Sequence, residues 1–405
     1  MSDTTRERTT DTAESTGSPG EVFGAFLKLG LTSFGGPVAH LGFFREELVA
    51  RRGWLSEPAY ANLVALCQFL PGPASSQVGM AIGLMRAGLA GMAAAWVAFT
   101  LPSALLMLGF AYGFVAADKA GIGGGWLAGL KVAAAAIVAD AVLGMARNLC
   151  PDRERRTLAL LAAAAATLLP GALGQVGVIL AGGLIGLALL SVEPTHVPAP
   201  GRHLPGRTAS IAALLTFAGL LVALPLLAAT HPGLALFDTF YRAGSLVFGG
   251  GHVVLPLIEA EVVHPGGVTR EAFLAGYGAV QAMPGPLFSF AAYVGAIMPS
   301  APNGLTGGLI ALIGAFLPSA LLVYGALRFW TALAAQRRVR NAVAGINAAV
   351  VGLLGAAFWD PVVSSSLTSP RAVALALLAY LALALWKVPA WAVVAGAALA
   401  GALLL

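Results

Sequence analysis

A chain of 405 residues with 58% hydrophobic and only 10% charged residues has too little polar surface to cover a soluble globule. Its mean hydropathy of +0.85 and its formal net charge of +5 indicate an all-α polytopic membrane protein with basic residues on a cytoplasmic face. They do not support nucleic-acid binding. The 2 cysteines are isolated, so the sequence predicts neither a redox pair nor a thiolate metal site.

The predicted elements begin with a polar tail at residues 1–20, which is expected to be disordered and cytoplasmic. Six apolar segments over residues 21–191 form a first repeat, followed by a cytoplasmic linker at 192–207 and a linking transmembrane helix at 208–230. Six more segments over 231–405 form a second repeat. About 13 spanning or re-entrant segments are therefore expected.

The apolar segments of the two repeats occur in the same order. Those of the first repeat are placed at residues 22–44, 58–85, 88–116, 126–148, 157–169 and 172–191. Those of the second repeat are placed at residues 234–256, 271–298, 304–330, 341–359, 371–386 and 388–405.

Two stretches that begin 214 residues apart indicate the duplication most clearly. FLKLGLTSFGG starts at Phe26 and FYRAGSLVFGG starts at Phe240, so a cation, Lys28 or Arg242, precedes Phe-Gly-Gly at the same spacing. QFLPGP then matches QAMPGP at an offset of 213, and TLPSALL matches FLPSALL at 216. A charge within a membrane-length apolar segment is costly, so its recurrence at matched positions predicts a functional site.

The two repeats are expected to be antiparallel in the membrane, because an odd number of segments separates their starts. With the N-terminus cytoplasmic and the C-terminus outside, most Lys and Arg residues fall on the cytoplasmic side, as the positive-inside rule requires. The exceptions are Arg45, Arg51 and Arg52. They lie in a segment from Phe43 to Leu55 that is interpreted as an interfacial amphipathic helix.

The Gly-Gly and Pro-Gly-Pro motifs interrupt their segments. Irregular backbone at membrane depth is tolerated only where it lines a cavity or is buried in protein, so two interruptions per repeat predict a transport site near the midplane. Helix N-termini and neutral donors suit a compact oxyanion, and the two cations would supply full charges. The predicted substrate-binding residues are Lys28, Thr32, Ser33, Phe34, Gly35, Gly36, Gln68, Pro71, Gly72, Pro73, Arg242, Ser245, Gly249, Gly250, Gln281, Pro284, Gly285 and Pro286. No metal or cofactor is expected.

Plainer explanations exist for each feature. Lys28 and Arg242 could extend to the membrane interface from the starts of their segments, and the Gly pairs could serve close helix packing. The Pro-Gly-Pro motifs could be kinked spans or re-entrant hairpins without ligand contact. His40 and His252 do not occupy equivalent positions, so they are assigned to packing or to the interface rather than to ligand binding.

The ordered motifs resemble those of the chromate ion transporter family in its long form, which has two fused homologous halves. The resemblance rests on FGGPVAHLGFFREELVARRGWLSE and QFLPGPASSQ in the first repeat and on FGGGHVVLP and QAMPGP in the second. It implies chromate efflux across the inner membrane, conferring chromate resistance, with sulfate as a structural mimic. The second repeat has Gly251 in place of Pro37 and lacks a basic segment like Phe43 to Leu55, so the halves are expected to be functionally unequal.

Three other functions stay open on the sequence alone. An uptake carrier for sulfate or a related oxyanion is the nearest, and an anion channel is the second. A membrane enzyme is the least supported, because no HExxH motif, Asp-rich pair or nucleophile with a partnered histidine occurs. The expected partners are chromate, sulfate and the lipid bilayer, with a homodimer left open.

Overall fold

The computed structural model describes residues 17–120, 124–169, 171–191, 205–248, 254–263, 266–330, 332 and 336–405. These residues form helices and connecting turns without a strand, which confirms the all-α class. The helices are α1 (Pro19–Thr32), α2 (Gly36–Phe44), α3 (Glu57–Phe69), α4 (Ala74–Lys119), α5 (Gly124–Leu149), α6 (Arg153–Leu168), α7 (Ala172–Leu189), α8 (Arg207–Ala228), α9 (Pro232–Leu246), α10 (Val254–Val262), α11 (Arg270–Val280), α12 (Phe290–Ala296), α13 (Gly304–Ala326), α14 (Arg337–Ala357), α15 (Pro370–Tyr380) and α16 (Ala390–Leu404).

Five helices in the described ranges are long and apolar enough to cross a membrane. They are α4 and α5 in the first repeat, α8 between the repeats, and α13 and α14 in the second. α4 bends at Ala87 and Gly88, where the sequence places the boundary between two segments. The count of about 13 segments stays a prediction, because the remaining helices are shorter.

The first predicted span, residues 22–44, is a helical hairpin. α1 ends at Ser33, and the left-handed φ angles of Gly35 (97°) and Gly36 (78°) turn the chain back into α2. The rings of Phe26 and Phe44 then lie 5.5 Å apart, whereas a straight helix would separate them by about 27 Å. Sequence patterning could not distinguish the two forms, because both are apolar and equally long.

The Pro-Gly-Pro segments also reverse direction. In the second repeat, the Tyr293 hydroxyl on α12 donates to the Ala272 carbonyl at the start of α11, at 2.8 Å. The rings of Phe273 and Phe290 lie 5.1 Å apart. These contacts join opposite ends of the segment, so α11 and α12 are antiparallel and the segment forms a hairpin. In the first repeat, α3 packs against α4 after the equivalent motif.

The last two helices of each repeat pack against the other repeat. α6 and α7 lie on α14, and α15 and α16 lie on α5. Glycines allow the close approach, since a Cβ on Gly186 would overlap Gly345 and a Cβ on Gly125 would overlap Gly401. Each repeat therefore completes its helix packing with helices of the other.

Candidate functional site

The two repeats meet in two reciprocal contacts between a Pro-Gly-Pro turn and the chain just after α1 or α9. The Gly72 amide of the first repeat donates to the Val247 carbonyl of the second, at 2.6 Å. The Gly285 amide of the second donates to the Ser33 carbonyl of the first, at 2.9 Å. The two donors occupy equivalent positions, as do the two acceptors. Each Pro-Gly-Pro turn thus contacts the chain that precedes Phe-Gly-Gly in the other repeat.

The Leu-Pro-Ser motifs pack on the same turns. The Ser319 hydroxyl of α13 lies against Gly72, and the Ser103 hydroxyl of α4 lies against Gly285. Both glycines have left-handed φ angles, 125° for Gly72 and 92° for Gly285, which side chains disfavour. All three repeated motifs therefore converge across the interface between the repeats.

The two predicted cations lie in equivalent ion pairs. Lys28 Nζ is 2.7 Å from Glu47 Oε2, and Arg242 Nη1 is 2.7 Å from Glu261 Oε1. Glu47 and Glu261 are 214 residues apart, as the cations are, so this pairing was recoverable from the sequence. Each pair joins the first helix of a hairpin to the far end of its returning half. Both cations are therefore paired in this conformation.

The surroundings of the two pairs differ. Glu47, with a 7% exposed side chain, also binds Arg51 at 2.8 Å and Arg52 at 2.9 Å. Burial alone would raise the pKa of Glu47, but hydrogen bonds from Lys28 and Arg52 outweigh it and hold the pKa below its usual value. Arg242 instead has a second carboxylate, Asp238, at 3.0 Å.

A second ion pair closes the base of the hairpins with its polarity exchanged between repeats. Arg45 pairs with Glu57 at 2.8 Å in the first repeat. At the matching positions of the second repeat, Glu259 lies 3.5 Å from Arg270. Burial raises the pKa of Glu259 to about 7 against the lowering effect of Arg270.

The place where the two Pro-Gly-Pro turns contact the other repeat is called the crossing below, and the other predicted site residues do not all lie there. Ser33 is buried there with Gly72, Pro73 and Pro284 to Pro286. Thr32 is exposed and donates to the Lys28 carbonyl, and Gln68 is exposed.

The remaining members of the predicted set are divided as follows. Ser245 is buried and donates to the Tyr241 carbonyl at 2.7 Å, and Gln281 is 9% exposed. Phe34 and Pro71 are half-buried. Gly249, Gly250 and His252 lie outside the described residues.

Sequence reasoning missed a group of buried polar residues on the first-repeat side of the crossing. His40 is 1% exposed, and its Nδ1 lies 3.3 Å from the Ser75 hydroxyl at the start of α4. Of the two alternatives given for His40, burial agrees with packing and not with the interface. Ser75 and Ser76 follow Pro-Gly-Pro after one alanine in QFLPGPASSQ, so the signal was present, but the predicted site ended at Pro73.

An apolar groove elsewhere does not suit an anion. It has a volume of about 420 Å³ and lies between α4, α8 and α13, where Met92, Trp96, Phe316 and Tyr324 line it. Its lining is largely apolar and contains no charged residue, so the contact region of the Pro-Gly-Pro turns is the better candidate for an oxyanion.

Comparison with known proteins identifies the family. A model of the family described as chromate transporter matches residues 20–187 and again 234–402. The chain belongs to the chromate transporter family. The family model thus matches the chain twice, and together with the long apolar helices these matches make the chain a multi-pass membrane protein.

Chromate transporter relatives resemble the chain over most of its length. A chromate transport protein of Pseudomonas aeruginosa is 29% identical over 359 residues, 84% of this chain and 80% of that protein. A probable chromate transport protein of Synechococcus elongatus is 28% identical over 340 residues, 82% of this chain and 81% of that protein. The uncharacterized transporter YwrA of Bacillus subtilis is 34% identical over 87 residues, 22% of this chain and 49% of that protein. No solved structure matches significantly.

Proposed function

We propose that the chain exports chromate across the inner membrane as an alternating-access carrier, with the anion bound near the midplane where the hairpin tips cross. The reciprocal hydrogen bonds from Gly72 to Val247 and from Gly285 to Ser33 carry this proposal. They bring the broken backbone of both repeats to one place, and carriers hold substrates where discontinuous helices meet. Family membership and the names of the relatives support chromate as the substrate.

The hairpin tips have a suitable polarity for an anion. The second helix of a hairpin begins at its tip, so the N-termini of α2 and α4 face the crossing. The Ser33 and Val247 carbonyls, which end α1 and α9, are already used by glycine amides. The positive ends of the helix dipoles therefore outweigh the negative ends as ligands for a charged oxygen.

The helix order supports repeats of opposite orientation. A hairpin enters and leaves on one side, so α4 and α5 make two crossings in the first repeat, and α8 adds one more before the second. With a cytoplasmic N-terminus, Arg45, Arg51 and Arg52 then fall on the cytoplasmic side and no longer violate the positive-inside rule. Arg270 moves outside, where it pairs with Glu259.

Export of a dianion needs no nucleotide. Moving one charge across 100 mV is worth about 2.3 kcal/mol, so a divalent anion that leaves a cell negative inside gains about 4.6 kcal/mol. The membrane potential alone can therefore drive outward movement.

Lys28 and Arg242 are assigned the charge compensation of the dianion, together with the substrate-binding residues predicted from the sequence. Each cation would exchange its carboxylate, Glu47 or Glu261, for the anion as the repeats alternate. A lysine that is 46% exposed keeps the freedom for such an exchange.

The test is chromate flux into and out of proteoliposomes under an imposed potential, with resistance of expressing cells as a second readout. Flux should saturate and follow the potential, and K28Q/R242Q should lower it at least tenfold while the exposed control R153Q leaves it unchanged. Unchanged flux in a folded double variant would remove the assigned role. Flux that does not saturate would indicate a channel, and sulfate accumulation without chromate resistance would indicate an uptake carrier.

A further inference from the structure

Four buried polar atoms near the crossing have no hydrogen-bond partner in the part of the chain that the structure describes. They are Ser33 Oγ, His40 Nε2, Ser76 Oγ and Thr100 Oγ1, on side chains that are at most 3% exposed. Buried polar groups are normally paired, so such a concentration indicates a missing ligand. These four residues and Ser75 are called the hydroxyl cluster below.

The members of the hydroxyl cluster are connected through the crossing. His40 contacts Ser75 through Nδ1, and its ring packs edge-on against Phe99 at 5.4 Å, next to Thr100. The Phe99 carbonyl and the Ser33 carbonyl both lie against Gly285 of the second repeat. Ser75 and Ser76 occupy the first turn of α4, where amide donors lie outside the helix's own hydrogen bonds.

The second repeat has no equivalent cluster. The offsets of the repeated motifs match Ser33 with Val247, His40 with Val254, Ser75 with Phe288 and Thr100 with Phe316. Ser76 alone matches a hydroxyl, Ser289, and that hydroxyl donates to the Pro286 carbonyl at 2.8 Å. Within the described residues, the unpaired hydroxyls at the crossing therefore come from the first repeat.

We propose that the hydroxyl cluster and the N-terminus of α4, which belong to the first repeat, hydrogen-bond the transported anion, while Lys28 and Arg242 compensate its charge and the Pro-Gly-Pro turn of the second repeat encloses it. This inference rests on the proposed function and names further binding residues within it. The ligand class is a tetrahedral oxyanion.

The choice of ligand class follows from the groups present. The unpaired hydroxyls and the free amides at the N-terminus of α4 can all donate, and sulfate and chromate offer acceptor oxygens only. A tetrahedral oxyanion therefore fits the cluster.

The decisive experiment measures equilibrium binding of radiolabelled sulfate and of chromate to the purified full-length chain, with Ser76→Ala as the main variant. Ser76 Oγ has no protein partner to lose, so the melting temperature should hold or rise while binding weakens at least fivefold. Ser289→Ala is the matched control in the second repeat and should change binding less than twofold. Equal effects of the two variants, or none, would overturn the assignment.

A further arm tests the chemistry of the cluster. His40→Gln can place a donor near the position of Nε2 and should bind better than His40→Leu, by at least threefold. Equal binding by the two variants would contradict a hydrogen bond from position 40 to the anion.

Binding and flux separate the two proposals. If the wild type shows saturable chromate flux and Ser76→Ala binds the anion as well as the wild type, the role of the hydroxyl cluster is contradicted and the carrier proposal stands. If the wild type shows no flux but binds the anion in a Ser76-dependent way, the carrier proposal is contradicted and the cluster stands as an anion site. A wild-type chain that binds neither anion removes the cluster.

Discussion

The hairpins of the two repeats have the same framework and opposite charge. In both repeats a cation on the first helix pairs at 2.7 Å with a glutamate on the returning chain. Around that pair the first repeat adds Arg51 and Arg52, whereas the second adds Asp238. Three cations with one carboxylate give a formal +2, and one cation with two carboxylates gives −1. Both repeats keep the ion pair, although the net charge around it has opposite sign. The pair is therefore assigned to holding the hairpin together, and the surrounding charges to attracting or repelling an ion.

The outer ion pair teaches the same lesson. Arg45 with Glu57 in the first repeat becomes Glu259 with Arg270 in the second, so the contact is kept although both charges are exchanged. If the repeats are inverted as proposed, the cytoplasmic mouth attracts oxyanions and the outer mouth repels them. A carrier with such mouths would load faster from the inside than from the outside.

The largest effect is expected at the crossing, from Gly72→Ala compared with Gly285→Ala. A left-handed alanine costs about 1–3 kcal/mol at either position. At Gly72 the new methyl group would also overlap the Ser319 hydroxyl, whereas at Gly285 it would meet the Ser103 hydroxyl at 3.0 Å. Gly72→Ala should therefore lower the melting temperature and the flux more. A larger loss of melting temperature and flux in Gly285→Ala would contradict this order of effects.

The next effect concerns the glutamate of each inner pair. Glu47→Gln leaves three cations without a carboxylate and should destabilise the chain by about 1–3 kcal/mol. Glu261→Gln should cost less, because Arg242 keeps Asp238 at 3.0 Å. Thermal unfolding of the two purified variants measures the difference. The comparison would fail if Glu261→Gln were the more damaging, or if Glu261→Gln/Asp238→Asn were no worse than Glu261→Gln alone.

The sequence predicted these hairpins only in part. The repeated Gly-Gly and Pro-Gly-Pro motifs located all four interruptions, but a broken span and a hairpin have the same length and the same apolar content. The direction of the chain after Gly36 depends on two left-handed glycines and on the contact of Lys28 with Glu47, which is a long-range interaction. The Ser75 hydroxyl can be assigned to a buried polar group only once His40 packs beside it, at 3.3 Å, which is also a long-range contact.

A smaller effect is expected from the charges that surround the inner pair of the first repeat. Arg51→Gln/Arg52→Gln removes its excess positive charge and should raise the apparent KM for chromate from that side about threefold at low salt. The difference should shrink above 0.15 M salt, because screening shortens the reach of the field to about 8 Å. A salt-independent change would indicate direct binding by these arginines, and no change would contradict steering.

The smallest effect is expected for the outer pair. Arg45 and Glu57 are 60% and 52% exposed, and exposed pairs contribute about 0.2–1 kcal/mol. Arg45→Glu should therefore lower the melting temperature slightly, and Arg45→Glu/Glu57→Arg, which copies the polarity of the second repeat, should restore it. If the double variant were no more stable than the single variant, the exchanged polarity would reflect something other than the pairing.

The exchange of the terminal helices has a consequence for assembly. α6 and α7 lie on α14, and α15 and α16 lie on α5. One repeat on its own therefore lacks the helices that cover its α5 or α14. The two repeats therefore pack against each other as the two subunits of a dimer would, although they belong to one chain. Its linker converts an association that would depend on protein concentration into one that occurs within a single molecule.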